Sequence, residues 1–600
     1  MQIKTKENDW GLLLKIAPYA KRNSSILLIS LVLLIPLSLA GAVQPLLVGQ
    51  AISLLRKEPT WSFLSTYSVS NGLNLLGFIL LFSIIIRTVF QSVQGFLVQK
   101  VGQEITAFIR DDLFNHITSL SSSFFHKTPV GKLVTRITND VEALGDVFAT
   151  GAIGILSDLV SILVIILTMF SLQWQLASLL VLMLIPVTAL IIYFQRQYRK
   201  ANYIAREELS TLNSILQENV VGINIVQLFG REKYNSEIFK VTNDRYRDAV
   251  DKTIFHDSAV SATLEWISLV AIAGVLWLGG LLVLGDNLSF GILSAFILYS
   301  QRLFDPLRQF ADKFTMFQSG FTAIERINEL MSIPAEIKDR EDNISFETKG
   351  EHEKIGEIRF ENVSFGYKPD EYVLKNLNFT INPGEKVALV GPTGAGKSSI
   401  IRLLCRLYEP TQGRILVDGI DIKDITQKEL RSHIGVILQE SFIFAGDVKR
   451  NITLGEEYSF EEIKKAAEIT NIDTFIDRLP LGYDTPLRER GANLSGGQKQ
   501  LLAFARVAIR NPNILVLDEA TSSLDVATEA DTQQALDKLL INKTAIIIAH
   551  RLSTIRNVDK ILVLKHGELI ESGNHDQLLT ENGLYASLYK LQMLTNFSEP

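Results

Sequence analysis

Four short runs in the last third of this 600-residue chain carry groups suited to phosphate chemistry. Gly391-Pro392-Thr393-Gly394-Ala395-Gly396-Lys397-Ser398-Ser399 has the spacing of a phosphate loop. Its glycines let backbone N–H groups curl around phosphate oxygens, helped by the N-terminus of a following helix. Lys397 would reach the β- and γ-phosphates, and Ser398 would hold Mg²⁺. Ile514-Leu515-Val516-Leu517-Asp518-Glu519 is an apolar run ending in two carboxylates. Asp518 suits the Mg²⁺ shell, and Glu519 suits a general base or water-orienting group facing the γ-phosphate. Leu494-Ser495-Gly496-Gly497-Gln498 is a second anion site at a helix start. A second phosphate cradle is redundant beside the first in one domain. It makes sense when it grips the γ-phosphate of a nucleotide held by a partner domain. His550 follows the apolar run Ile546-Ile547-Ile548-Ala549 and supplies a polar contact.

These groups need elements to hold them. Lys386-Val387-Ala388-Leu389-Val390 reads as a strand before the phosphate loop, and Ser399-Ile400-Ile401-Arg402-Leu403-Leu404 as the helix after it. That is the strand–loop–helix context a phosphate loop requires. From about residue 355 onward, alternating apolar strands, turns and amphipathic helices predict an α/β domain over 355–600. A polar stretch over 333–354, rich in Glu, Lys and Asp, reads as a linker.

The first 332 residues read differently. Hydrophobic residues make up 47% of the chain, and long apolar runs crowd before about residue 310. Five runs, near 25–49, 73–98, 147–171, 175–195 and 258–285, are long enough to cross a bilayer as helices. A weaker sixth, near 289–310, carries Arg302 and Asp305. It is accepted because an even number of spans places both chain ends on one side. Lys and Arg are dense in the N-terminal segment and in 196–257, and absent from the short connections 172–174 and 285–288. That positive-inside asymmetry predicts a multi-pass membrane protein with both termini and the phosphate-binding domain in the cytosol; a bacterial plasma (inner) membrane is the expected location. The long inner connections predict spans that continue into the cytosol and turn near 124–129 and 222–226.

Ionisable groups at lipid depth are costly. Arg87 and Asp158 fall at similar depth and are expected to pair, within one chain or across a dimer; Glu265 lies nearer the inner edge. Trp10 to Arg22 suits a short interfacial helix. Cys405, the sole cysteine, excludes any intrachain disulfide and reads as a small buried apolar residue, although a thiol modified there could block the nearby phosphate loop. The net charge of −6 lacks the basic balance of many nucleic-acid binders, so no nucleic-acid partner is expected.

On these motifs the ATPase half resembles the nucleotide-binding domain of the ABC transporter superfamily. The whole chain resembles an exporter half-transporter of the multidrug and lipid-flippase type. The resemblance implies a six-span helical membrane domain fused to a P-loop ATPase domain. It implies that Tyr367, in Phe365-Gly366-Tyr367, stacks on adenine, and that Gln439 contacts Mg²⁺ and the attacking water. It implies that Ser523-Leu524-Asp525 crosses a dimer seam, that His550 contacts the γ-phosphate, and that the turns holding Phe125, His126, Ile223 and Asn224 couple the two halves. One departure is Arg488-Glu489-Arg490-Gly491, where many exporters carry Gly-Glu-Arg-Gly.

The expected function is ATP-driven export or flipping of a lipid or hydrophobic drug by alternating access. The chain supplies every motif of one site, so a homodimer is favoured, with a heterodimer carrying another cargo such as peptide left open. An importer would normally lack the fused first half. A peptide exporter with a built-in cysteine protease is opposed by Cys405 being the only cysteine. A DNA-directed ATPase is opposed by the spans, and an ATP-gated channel is the weakest alternative.

Overall fold

The structure is a computed structural model that describes residues 18–19, 21–340, 342–346, 355–439, 441–518, 526–548 and 556–596. The chain divides into two compact units: Met1–Thr118 with Val130–Ile333, and Ser119–Pro129 with Pro334–Pro600. The interfacial helix expected at the N-terminus lies outside the described residues up to position 17.

The first unit is built on long helices: α1 (Ser24–Arg56, broken at Leu33), α2 (Val69–Thr118), α3 (Val130–Leu172), α4 (Trp174–Val221), α5 (Glu232–Leu284) and α6 (Phe290–Met331). Helices satisfy their own backbone groups, as lipid demands. Among the described residues, α1 to α5 are long and apolar enough to cross a membrane; α6 is not counted with them and carries Arg302 and Asp305. The 50, 48 and 53 residues of α2, α4 and α5 give helices about 70–80 Å long, more than twice the ~30 Å of hydrocarbon. Each therefore runs well past a bilayer. Short helices, Ser122–Lys127 and Ile223–Leu228, form the turns after α2 and α4.

Backbones cross closely where α1 meets α6. A Cβ on Gly49 would sit 2.5 Å from the Gly291 carbonyl oxygen, so only small residues fit. Four residues earlier, Pro45 removes the N–H that would serve the Gly41 carbonyl. Arg302 of α6 donates to that carbonyl, and Tyr299 donates to the neighbouring Ala42 carbonyl. The arginine that weakened the sixth apolar run thus repairs the helix that the proline breaks.

The expected Arg87–Asp158 pair does not form within the chain. Arg87 donates to Gln44 Oε1 at 3.1 Å, an oxygen that Arg302 also reaches at 2.6 Å. Asp158 pairs instead with Lys313 of α6 at 2.5 Å. Similar depth does not bring two groups together when their helices turn those faces to other neighbours. Nearer the N-terminal end of α3, Arg136 meets Glu329 and Asp140 meets Arg326, at 3.2 and 3.3 Å. Glu265 is exposed on α5.

The second unit contains strands β1 (Ile358–Phe365), β2 (Leu374–Ile381), β3 (Lys386–Val390), β4 (Gln412–Val417), β5 (Ile420–Asp421), β6 (Ile434–Ile437), β7 (Gly446–Asp447), β8 (Pro486–Leu487), β9 (Ile514–Asp518), β10 (Thr544–Ile548), β11 (Lys560–Lys565) and β12 (Glu568–Gly573). They form a sheet β2-β1-β4-β5, a sheet β12-β11-β3-β10-β9-β6 and the short pair β7-β8. In the six-stranded sheet, β11, β3, β10, β9 and β6 are mutually parallel. Alternate residues of β9 and β10 enter different cores, as a pleated strand requires. Ile514, Val516, Ile546 and Ile548 join one core with α7 (Lys397–Leu404). Leu515, Leu517, Ala545 and Ile547 join another with α8 (Gly496–Arg510). The helix after the phosphate loop and the helix after Ser495 therefore pack on opposite faces of one sheet.

The start of the polar linker is docked within this unit. Arg406 is 1% exposed, and it donates to the Lys338 carbonyl at 3.0 Å and meets Asp339 at 3.3 Å. Further on, Glu429 accepts from the Phe346 N–H and the Ser345 hydroxyl.

Candidate nucleotide site

The strand order gathers the predicted groups at one edge. Leu389 pairs with Ile548, Ile548 with Asp518, and Leu517 with Ile437. β3 therefore delivers the phosphate loop, β9 delivers Asp518, and β6 delivers Gln439 from the same ends of parallel neighbours. Ligands of open α/β sheets bind at such carboxyl ends. Glu519, Ser523, Leu524, Asp525 and His550 lie outside the described residues; the strands ahead of Glu519 and His550 end at Asp518 and Ile548.

The loop has the backbone its glycines permit. Gly394 has φ +83° and open space where a Cβ would project. Gly396 has φ +101°, and a Cβ there would lie 2.5 Å from Leu374 Cδ2. Lys397 Nζ donates to the Gly391 carbonyl at 2.6 Å and to the Pro392 carbonyl at 3.2 Å. Its ammonium is thus held within the curve of the loop. Thr393 and Ser398 are exposed; Ala395 and Ser399 are buried beneath them.

Tyr367 is tethered to the start of α7. Arg402 Nη1 donates to Tyr367 Oη at 3.0 Å, and the Tyr367 and Ser399 hydroxyls share a hydrogen bond at 2.9 Å. The rings of Tyr408 and Tyr367 meet in a T-shaped contact, with centroids 5.2 Å apart and planes at 90°. Tyr408 was not singled out from sequence. The available signal was an aromatic four residues beyond the end of the phosphate helix, followed by Glu409-Pro410.

Ser398, Asp518 and Gln439 offer a hydroxyl, a carboxylate and an amide oxygen. These hard oxygen donors suit Mg²⁺, which takes one or two protein ligands and completes its shell with phosphate and water. The described residues hold no cluster of three His, Cys, Asp or Glu, so a softer transition-metal site is not indicated there. Bound there with nucleotide, Mg²⁺ would neutralise phosphate charge.

Ser495 begins α8 with a capping box. Its Oγ accepts from the Gln498 N–H at 3.3 Å, and the Gln498 side chain accepts from the Ser495 N–H at 2.9 Å. A hydroxyl that accepts still has a proton to donate outward. Ser495 and Gly496 are exposed, and Gly497 is buried. Because α8 packs on the face opposite α7, the structure does not draw Ser495 into the group formed by the phosphate loop and Tyr367. Arg488 is exposed, with its N–H on Asn493 Oδ1 at 3.0 Å.

Burial raises the Cys405 thiol to about 12, so it stays protonated and shielded. The expected route of blocking the site through this thiol is closed in the folded protein. Of the turn residues, His126 is joined to Tyr408 inside the second unit at 3.3 Å, while Phe125 is exposed. Ile223 and Asn224 are exposed beside Val221, Leu228 and Phe229, which are 80%, 79% and 72% exposed.

Residues 27–307 match the model of the ABC transporter transmembrane region, and residues 374–522 match that described as ABC transporter. An ABC transporter ATP-binding protein of Bacillus subtilis, YfiC, is 35% identical over 97% of this chain and 94% of its own length. The chain belongs to the ABC transporter family. An ATP-dependent lipid A-core flippase of Desulfotalea psychrophila is 35% identical over 83% of this chain and 86% of its own. A solved bacterial Atm1-family ABC exporter with ATP bound superposes with a TM-score of 0.75 at 29% identity, covering 94% of this chain and 98% of that one. This ABC exporter is a multi-pass membrane half-transporter: a helical membrane domain of six-span type fused to an α/β ATPase. Its ATPase couples ATP hydrolysis to transport.

Proposed function

We infer that two copies of this ABC exporter form the working unit and drive an amphipathic lipid or drug outward across the membrane. Each nucleotide lies between Lys397 of one copy and Ser495 of the other, with Mg²⁺ held near Ser398, Asp518 and Gln439. Glu519 orients or deprotonates the attacking water, His550 contacts the γ-phosphate, and Ser523-Leu524-Asp525 lines the seam. ATP-driven closure switches access through the spans, and hydrolysis resets them. The ATPase and both termini lie in the cytosol of a bacterial inner membrane.

The observation that carries this reading is the placement of α7 and α8 on opposite faces of one sheet. Two phosphate-binding helix starts so arranged serve one phosphate when the second comes from another copy. A heterodimer with a different cargo such as peptide is the second reading; the exposed Arg488, where related exporters carry glycine, supports a partner-specific contact.

Cysteines placed at Thr393 and Ser495 test the arrangement. Oxidation of the Glu519→Gln form loaded with MgATP is expected to yield a covalently linked dimer on a denaturing gel. Cross-links confined within single chains, or none with nucleotide present, overturn it.

A further inference from the structure

The segment just after α7 joins three parts of the second unit. Residues 119–129 are bracketed in sequence by α2 and α3, yet they belong to the ATPase unit. His126 Nδ1 lies 2.7 Å from the Ser122 carbonyl, which can only accept, so this nitrogen carries a proton. Tyr408 Oη, 3.3 Å from the same nitrogen, shares that donor. The Tyr408 ring makes T-shaped contacts with Tyr367 and Phe365, with centroids 5.2 and 5.6 Å apart. Tyr367 is fixed at its other end by Ser399 and Arg402 of α7. Its hydroxyl end is anchored to α7 and its ring is backed by Tyr408. A ring held at both places keeps one attitude, and stacking depends on attitude.

We propose that Tyr408 is a positioning residue that sets the plane of Tyr367 for the adenine base, and that His126 of the α2–α3 turn controls it. The inference rests on the nucleotide reading above and deepens it. Tyr408 acts through Tyr367.

The test is a set of double-mutant cycles on the full-length protein in lipid nanodiscs, reading KM and kcat for MgATP. Tyr408→Ala is expected to raise KM about five-fold with kcat within two-fold, because only part of the stacking on one aromatic is lost. In a Tyr367→Ala background the same change is expected to do nothing further. Tyr408→Phe keeps the ring and loses the hydroxyl, so it is expected to show the same two-fold rise in KM as His126→Ala, and His126→Ala is expected to add nothing further to it. An unchanged KM in Tyr408→Ala overturns the proposal, as does a full additional rise in the Tyr367→Ala background. Should Tyr408→Ala not fold, Tyr408→Leu takes its place with the same expected results. Lys397→Ala run in parallel separates the two readings. If it turns over at the wild-type rate, the nucleotide site itself is wrong; if it is inactive while Tyr408→Ala adds independently, only the positioning role fails.

Discussion

At the scale of single residues, the site divides into groups that bind and one assigned to move a proton. Lys397 sits inside its loop, its ammonium already on carbonyl oxygens that a phosphate would replace. Glu519→Gln keeps size and hydrogen bonding while removing basicity. It is expected to lower steady-state phosphate release by ~10²–10⁴-fold, the range for general-base catalysis, with ATP binding retained. Full turnover in that variant would remove Glu519 from its role. Cys405 makes a second residue-scale case. Its thiol is buried and raised to about 12, so maleimide is expected to leave the native protein unlabelled at pH 7 and label it fully in guanidinium. Rapid native labelling would mean that the environment of the first turns of the ATPase core is wrongly assigned.

At the scale of elements, α1 and α6 show how one defect is mended by a neighbour. Arg302→Ala leaves the Gly41 carbonyl without a donor in an apolar setting, and is expected to cost about 1–3 kcal/mol of stability. Pro45→Ala returns the helical N–H, so the loss should shrink in the double variant when thermal unfolding midpoints in detergent are compared. Equal losses in both backgrounds would show that Arg302 serves something other than the proline gap. Much of this level was legible in the sequence. Five apolar runs became long helices, and the runs before Gly391, Glu519 and His550 became parallel strands, because burial on both faces leaves few alternatives. Partners were less legible. Asp158 took Lys313, and Arg87 took Gln44, because pairing depends on helix rotation as well as depth. Arg406 reads as an ordinary surface arginine, yet the fold buries it against the linker backbone. Nothing local in Tyr408 announces that a turn almost three hundred residues earlier will meet it.

At the scale of the whole molecule, a half-transporter needs a second copy or a partner to complete its ATPase sites. The chain carries one full set of motifs. The purified protein alone is therefore expected to run as a dimer by mass photometry in nanodiscs and to hydrolyse ATP with a Hill coefficient above one. A monomer without ATPase activity, rescued only by a second polypeptide, would select the heterodimer.

The assignment of residues 119–129 to the ATPase unit also bears on how this protein can be cut. A soluble fragment beginning at Pro334 would be missing a piece of its own surface, and Tyr408 would face water where His126 belongs. Such a fragment should grip ATP loosely and stick to itself. A synthetic peptide spanning Ser119 to Pro129, added back in solution, is the natural patch.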